Sequence, residues 1–336
     1  MRRRSTGRAG ERTGVSTPAV PEERASRRVA AIDCGTNTIK LLIASVTADG
    51  LEDLVREARM VRLGQGVDAT GELRPDALER TFEAIDEYAA LIREHRATPD
   101  EGGRIRFVAT SATRDASNAQ VFVDGVRERL GVEPEVVPGT EEAALAFDGC
   151  VRNLRARPVQ PVIVVDIGGG STELIEGASL ESGPDAAYSM QIGSVRLHER
   201  HLRSDPPTAE EVAACVRDID AALDACPVDP SIARTVVGIA GTVTQLAAGI
   251  LDLEAYDRAA TDQLQVPVEQ LEELVQRLVA MSVAERRSLR WMHPGRADVI
   301  AAGGLILSRV LRRTGVAHLI VSESDILDGI AWSTTD

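Results

Sequence analysis

Two polar turns, each placed between two apolar segments, constrain the fold of this chain more than any other feature of its sequence. The first turn follows the apolar run at residues 29–32 and reads Asp33-Cys34-Gly35-Thr36-Asn37-Thr38. The second follows the run at residues 161–165 and reads Asp166-Ile167-Gly168-Gly169-Gly170-Ser171-Thr172-Glu173. An apolar run, a polar turn and a second apolar run predict a β-hairpin. Two such hairpins predict two copies of one α/β domain that face each other.

The length of the chain also favours two domains, because 336 residues exceed a typical single core. We predict an N-terminal domain at residues 28–155 and a C-terminal domain at residues 156–333. Residues 1–27 are rich in arginine, serine and glycine, and we predict a disordered leader there. Within the domains, the patterns predict a strand at residues 132–137 and a third glycine turn, before a helix, at residues 238–242.

The charge and the cysteines exclude several classes of protein. The net charge of −14 is unlike that of a nucleic-acid-binding protein. The four cysteines form no CxxC pair, which excludes a disulfide framework or a zinc site as the organising feature. No apolar run reaches the length of a membrane span, so we expect a cytoplasmic protein without nucleic-acid or membrane partners. Lys40 is the only lysine, since every other basic residue is arginine.

The composition of the first turn suits a phosphate group. Glycine lets the backbone N–H groups approach an anion closely, and hydroxyl and amide side chains add donors. A carboxylate would repel the phosphate, so the expected task of Asp33 is to hold Mg²⁺. A hairpin turn without a ligand remains the alternative for this segment taken alone. The candidate phosphate ligands of the turn are Gly35, Thr36, Asn37 and Thr38.

The second turn is more specific because three consecutive glycines lose much backbone entropy when they become ordered. They are expected where a polyanion lies against the main chain, although a flexible loop is the alternative. Glu142 lies at a predicted helix start, where a carboxylate serves either as the base for an attacking water or only as a partner of the helix dipole. Arg114 is a candidate phosphate ligand, and Arg62 and Arg296 are secondary candidates.

In combination, these segments resemble the exopolyphosphatase/guanosine pentaphosphatase (Ppx/GppA) family. The resemblance covers residues 28–333. It is carried by both turns and by five further segments, which are Val61-Arg62-Leu63-Gly64-Gln65-Gly66, Ala109-Thr110-Ser111-Ala112-Thr113-Arg114, Gly139-Thr140-Glu141-Glu142-Ala143, Ile192-Gly193-Ser194-Val195-Arg196 and Gly238-Ile239-Ala240-Gly241-Thr242. The chain stops soon after Gly329, and therefore looks like the short form without the HD-like C-terminal domain.

The resemblance implies an α/β protein with two ribonuclease-H-like domains of the actin/hexokinase/Hsp70 ATPase fold and an interdomain cleft. It implies Glu142 as the general base and a homodimer with Mg²⁺ as cofactor. The implied metal-proximal carboxylates are Asp33, Asp166 and Glu173. The implied phosphate cradle consists of Gly35, Thr36, Asn37, Thr38, Arg114, Gly168, Gly169, Gly170, Ser171 and Thr172.

The expected activity is that of an exopolyphosphatase, which hydrolyses the terminal phosphate of short-chain inorganic polyphosphate and releases orthophosphate. Hydrolysis of the 5′-phosphate of guanosine pentaphosphate (pppGpp) is the nearest alternative. A non-catalytic sensor of polyphosphate or (p)ppGpp and a sugar or acyl-phosphate kinase are further alternatives. The intact Glu142 and Asp33 favour an active hydrolase over a sensor.

Overall fold

A computed structural model describes residues 27–47, 50–177 and 183–335. The predicted leader at residues 1–27 lies outside the described residues except for Arg27. No helix within the described ranges is both long enough and apolar enough to cross a membrane.

Eleven strands occur in the part of the chain that the structure describes. They are β1 (Arg28–Cys34), β2 (Thr38–Thr47), β3 (Gly50–Met60), β4 (Arg104–Ala109), β5 (Glu135–Val136), β6 (Val162–Ile167), β7 (Thr172–Gly177), β8 (Ala186–Met190), β9 (Thr235–Ile239), β10 (Gln265–Pro267) and β11 (His318–Val321).

The helices alternate with these strands after each hairpin. They are α1 (Val67–Thr70), α2 (Pro75–Glu94), α3 (Ser111–Asp115), α4 (Ala119–Leu130), α5 (Gly139–Val151), α6 (Ser194–His201), α7 (Ala209–Ala225), α8 (Ala240–Ile250), α9 (Arg258–Thr261), α10 (Val268–Ala280), α11 (Val283–Ser288), α12 (Ile300–Thr314) and α13 (Ile326–Ser333).

The first sheet has the strand order β3-β2-β1-β4-β5. Strands β1, β2 and β3 form an antiparallel meander, and β4 and β5 continue the sheet parallel to β1. Parallel neighbours need crossover connections, which the intervening helices supply. This is the ribonuclease-H-like arrangement that the family resemblance implies.

The second sheet repeats the same arrangement in the order β8-β7-β6-β9-β11, with β10 added at the edge beside β11. Strands β6, β7 and β8 are the antiparallel meander, and β9 and β11 are parallel to β6. The predicted repetition of one α/β unit is therefore confirmed, and so is the fold class.

Helices α5 and α13 lie between the two sheets. One hydrophobic cluster contains Val29 and Leu42 of the first sheet, Val164 of the second, Phe147 of α5 and Ile330 of α13. Helix α13 packs against both α5 and β1, although the predicted boundary assigns it to the C-terminal domain. The division at residues 155 and 156 stays a prediction, because this shared core joins both sheets.

Two local predictions are wrong. The strand predicted at residues 132–137 is reduced to β5, which pairs with only two residues of β4. The glycine turn predicted at residues 238–242 is absent, because Gly238 lies within β9 and Gly241 lies in the first turn of α8. Gly241 packs against the guanidinium group of Arg296, and both residues line the cavities described below.

Candidate active site

The two predicted turns adopt the same conformation at the ends of β1 and β6. In the first turn the N–H of Gly35 donates to the carbonyl of Thr38 at 3.0 Å, and in the second the N–H of Gly168 donates to Ser171 at 3.0 Å. Asp33 lies opposite Lys40 in its hairpin, and Asp166 lies opposite Glu173 in the other. The hairpins therefore match in geometry, but Lys40 in the first corresponds to Glu173 in the second.

The turns meet directly, which explains two of the three glycines. A Cβ atom on Gly169 would lie 2.9 Å from Cβ of Thr36, and one on Gly170 would lie 2.6 Å from Oγ of Ser111. The hydroxyl groups of Thr36 and Ser111 are themselves hydrogen-bonded at 2.9 Å. The close approach of the two halves, rather than a bound anion alone, requires small residues here.

The segments that follow each hairpin occupy the carbonyl groups of the turns. Gly64 donates its N–H to Thr36 at 2.9 Å, and Ser194 donates to Gly168 at 3.0 Å. Within the described residues, no acceptor engages the N–H groups of Thr36, Asn37, Gly169 or Gly170. The carbonyl groups of the turns are thus used, while several N–H groups remain able to bind an anion.

A cavity of about 70 Å³ lies where the turns meet. Ten of the predicted site residues line it, namely Asp33, Gly35, Thr36, Asn37, Thr38, Glu142, Asp166, Gly168, Gly169 and Ser171. Gly170, Thr172, Glu173 and Arg114 do not line it, and the hydroxyl group of Thr172 donates to the carbonyl of Ile192 at 2.7 Å. This hydrogen bond is structural, so the geometry lends no support to the predicted phosphate contact of the Thr172 hydroxyl.

The two adjacent glutamates of α5 have different environments. Glu142 is buried, and one of its oxygens accepts a hydrogen bond from Nη1 of Arg114 at 3.1 Å. Glu141 is partly exposed and pairs with Arg106 at 2.8 Å. Glu142 therefore lines the cavity, whereas Glu141 forms a salt bridge at the surface.

The buried carboxylates of the site raise one another's pKa. Burial raises the pKa of Glu142 to about 7, although Arg114 opposes the shift, and Asp33 adds to it. Burial also raises the pKa of Asp166 to about 8 against the effect of Lys40. Burial and the charges of Glu142 and Asp166 raise the pKa of Glu173 as well. The site therefore contains more potential negative charge than its cations neutralise.

Comparisons with known proteins show the family to which this chain belongs. Residues 42–335 match the Ppx/GppA phosphatase family. The chain belongs to this family. It is 49% identical to exopolyphosphatase 2 of Mycobacterium tuberculosis over 91% of this chain and 98% of that protein. It is 28% identical to a guanosine-5′-triphosphate,3′-diphosphate pyrophosphatase of Photobacterium profundum over 90% of this chain and 58% of that protein. A crystal structure of an exopolyphosphatase-like protein superposes with a TM-score of 0.87 and is 41% identical, covering 93% of this chain and 98% of that one.

In this Ppx/GppA phosphatase, Lys40 is a site residue that sequence reasoning noted only for its rarity. Its Nζ lies 3.2 Å from Oδ2 of Asp33 and 2.6 Å from Oδ2 of Asp325. Asp325 precedes α13 and caps it by accepting a hydrogen bond from the N–H of Leu327. The residues are 285 positions apart in sequence, so no local pattern could have indicated this pair. Ser111 was quoted in a motif but was not identified as a site residue.

Several buried polar atoms in and beside the cavity have no hydrogen-bond partner among the described residues. They are both amide atoms of Asn37, the hydroxyl oxygen of Thr113 and Nη2 of Arg114. Buried polar groups are almost always paired in folded proteins, and unpaired groups in a cavity indicate a ligand site. The amide nitrogen of Asn37 and the free guanidinium nitrogen of Arg114 fit an oxyanion.

A larger cavity of about 730 Å³ adjoins the small one, and Thr38, Lys40, Gly241 and Arg296 line both. Its charged lining is balanced. The cations are Lys40, Arg56, Arg258, Arg290 and Arg296, and the acids are Asp53, Glu57, Glu254, Glu323 and Asp325. No salt bridge is found for Arg296 within the described ranges, and burial lowers its pKa. Arg62 pairs instead with Asp298 at 2.8 Å and lines neither cavity.

The predicted Mg²⁺ site fits this protein in its donor chemistry. Carboxylate oxygens are the ligands that Mg²⁺ prefers, and a cation would relieve the repulsion among Asp33, Asp166 and Glu173. Across the described ranges, however, no three His, Cys, Asp or Glu side chains are already arranged to hold a metal ion. The metal and its ligands stay predictions.

Proposed function

We propose that this protein is an exopolyphosphatase that removes the terminal phosphate of short-chain inorganic polyphosphate and releases orthophosphate. The observation that carries the proposal is the meeting of two matched turns around one small cavity, with the buried Glu142 in its wall. The small cavity suits one phosphoryl group, and the rest of a bound chain would extend into the larger cavity beside it. The similarity to an exopolyphosphatase of M. tuberculosis supports the same activity.

The terminal phosphoryl group would be held by N–H groups of both turns and by the unpartnered amide nitrogen of Asn37, with the unpartnered Nη2 of Arg114 as a further donor beside the cavity. These donors are fixed before substrate binds, because the carbonyl groups of the turns are occupied by neighbouring segments. Donors fixed in advance stabilise negative charge without reorganisation during the reaction.

Glu142 would accept a proton from the water that attacks the terminal phosphorus. Its pKa of about 7 suits this role, because a general base works best when its pKa is near the working pH. Arg114 contacts Oε2 of Glu142, and Thr110 also hydrogen-bonds to this carboxylate, so both neighbours would fix the orientation in which it receives the water. The bond from the terminal phosphorus to the bridging oxygen then breaks, and the shortened polyphosphate is the leaving group.

Asp33 and Asp166 would hold Mg²⁺, with Glu173 nearby. The ion would supply positive charge that neutralises the phosphoryl oxygens. Lys40 already supplies one positive charge at the same carboxylates. In this role it opposes the rise that burial causes in the pKa of Asp33.

The larger cavity would receive the leaving group. Its five acids and five cations make it a poor channel for a long polyanion, which supports a short substrate. The same cavity supports pppGpp hydrolysis as a second candidate, since its lining includes Tyr256 and Trp291, which suit a nucleoside. The related protein from P. profundum is named as a guanosine-5′-triphosphate,3′-diphosphate pyrophosphatase.

The deciding experiment measures phosphate release from polyphosphates of increasing length, pppGpp and ATP, each with Mg²⁺. We expect the highest kcat/KM for short polyphosphate, with a decline as the chain lengthens. A higher kcat/KM for pppGpp would show that pppGpp hydrolysis, the second candidate, is the function. Binding of these anions without phosphate release would indicate a sensor, and ATP-dependent transfer to a sugar or acid would indicate a kinase.

The homodimer, the cytoplasmic location and the absence of nucleic-acid or membrane partners remain predictions.

A further inference from the structure

Arg196 of α6 connects three separate segments around the candidate site. Its Nε donates to the carbonyl of Gly170 at 2.7 Å in the second turn. Its two terminal nitrogens pair at 2.5 Å with Asp68 of α1 and at 2.5 Å with Asp115, the last residue of α3. The Arg196 side chain is only 12% exposed, and its contact with Gly170 is partly buried, whereas the two aspartates lie nearer the surface.

Helix α3 makes the contact with Asp115 important for the site. Its first residue, Ser111, is hydrogen-bonded to Thr36, and its fourth, Arg114, contacts Glu142. Asp115 is the fifth and last residue of this helix and follows Arg114 directly. The pair between Arg196 and Asp115 therefore fixes the end of the helix that carries Arg114.

We propose that Arg196 is a positioning residue for the proposed reaction. It ties the glycine turn of the second half to α3 of the first half, and so holds Arg114 in contact with Glu142. This inference rests on the proposed function, since it assigns its effect to the Arg114–Glu142 pair. Arg196 does not line the small cavity, so the proposal gives it no direct contact with the phosphoryl group.

Arg200 provides a matched control on the same helix. It also pairs with Asp68, at 2.9 Å, and with Asp218 at 2.7 Å. None of the contacts found for it among the described residues reaches Gly170 or Asp115. Arg196→Met and Arg200→Met each remove an arginine bound to Asp68, but only Arg196→Met releases the turn and α3.

The test compares wild type, Arg196→Met, Arg196→Lys, Arg200→Met and Glu142→Gln in steady-state phosphate release with short polyphosphate and Mg²⁺. We expect Arg196→Met to lower kcat about 30- to 100-fold with KM nearly unchanged, because small misplacements of reacting groups cost about 100-fold. Arg200→Met should stay within about threefold of wild type, as expected for exposed ion pairs. Arg196→Lys should recover part of the loss, because lysine keeps a charge but not the forked geometry.

Amide hydrogen exchange gives a readout that does not depend on turnover. Exchange in residues 111–115 and 168–172 should be faster in Arg196→Met than in Arg200→Met, with similar Tm for the two variants. Equal kcat and equal exchange in these variants would overturn the inference. If wild type released no phosphate, the proposed function would fail, and if Glu142→Gln retained full activity, the general-base role of Glu142 would fail. In either case hydrogen exchange would still test whether Arg196 fixes the two segments.

Discussion

Nη1 of Arg114 lies 3.1 Å from Oε2 of Glu142, and the same nitrogen donates to the carbonyl of Val137 at 2.8 Å. The carbonyl is in the segment that leads into α5, so both hydrogen bonds tie Arg114 to the start of the helix that carries Glu142. The guanidinium group thus fixes the orientation of the carboxylate and limits the rise in its pKa.

The first prediction concerns Glu142→Gln. Glutamine keeps the size of the side chain and can accept the hydrogen bond from Arg114, but it cannot take a proton from water. We expect a normal fold and normal substrate binding, with kcat reduced about 100-fold or more, as is typical for the loss of a general base. The matched control is Glu141→Gln, because Glu141 precedes it in the same helix but pairs with Arg106. Full turnover in Glu142→Gln, measured as phosphate release, would remove the general-base assignment.

The second prediction is the pH dependence of kcat. Glu142 acts only when ionised, so kcat should rise with pH and level off above its pKa of about 7. Arg114 lowers that pKa, so its replacement by methionine should move the rising limb to higher pH. A pH–rate profile of both proteins with short polyphosphate tests this shift. If the rising limb lies at the same pH in both proteins, a group other than Glu142 controls the rate.

The sequence alone predicted the parts of the site that are local in the chain. Each turn lies between its own two strands, so Asp33 and Asp166 were placed correctly at the ends of matching hairpins. The β-α alternation also predicted the two repeated sheets. Glu142 was a candidate only because of its motif, since a glutamate in the first turn of a helix has a structural explanation too.

The rest depends on contacts between distant residues, which no local pattern contains. The sequence assigned all three glycines of the second turn to an anion, whereas Gly169 and Gly170 are required by Thr36 and Ser111 of the other half. The acidic residue that neutralises Lys40 is near the other end of the chain. Likewise, Gly241 was predicted to be a turn residue, because the sequence does not show that Arg296 packs against it.

The third prediction is that Asp166→Asn stabilises the protein at pH 8 while it abolishes turnover. The pKa of Asp166 is raised to about 8 by burial, whereas an unfolded aspartate ionises near its usual pKa of 3.8. The native state therefore holds a proton that the unfolded state loses, and the free energy of unfolding falls as pH rises between these values. Asparagine removes this penalty.

Thermal unfolding at two pH values checks this prediction. At pH 8 the Tm of Asp166→Asn should exceed that of wild type by several degrees. At pH 5 the difference should be much smaller, because the pH is then only a little above the usual aspartate pKa of 3.8 and most of the penalty has not yet accumulated. Mg²⁺ at pH 8 should raise the Tm of wild type more than that of the variant. A lower Tm in the variant at both pH values would contradict the proposed charge repulsion.

The fourth prediction concerns the salt bridge between Lys40 and Asp325, whose Nζ and Oδ2 atoms are 2.6 Å apart. The lysine side chain is 19% exposed and the aspartate side chain 11%, so the pair is largely shielded from water. Lys40→Met leaves the buried charges of Asp33 and Asp325 without their cation. We expect it to lower the free energy of unfolding by about 3–5 kcal/mol, as is found when one partner of a buried pair is removed.

Denaturant unfolding tests this loss and its pH dependence. Arg127→Met is the control, because the pair of Arg127 with Glu133 is exposed and should contribute little to stability. Lys40 lowers the pKa of Asp325 against the effect of burial, so the pair stabilises the protein above the usual aspartate pKa and loses this effect as pH falls through the lowered pKa. The difference between wild type and Lys40→Met should therefore be largest near neutral pH and shrink in acid. A difference that is the same at pH 7 and in acid would show that Lys40 stabilises the fold by packing rather than by charge.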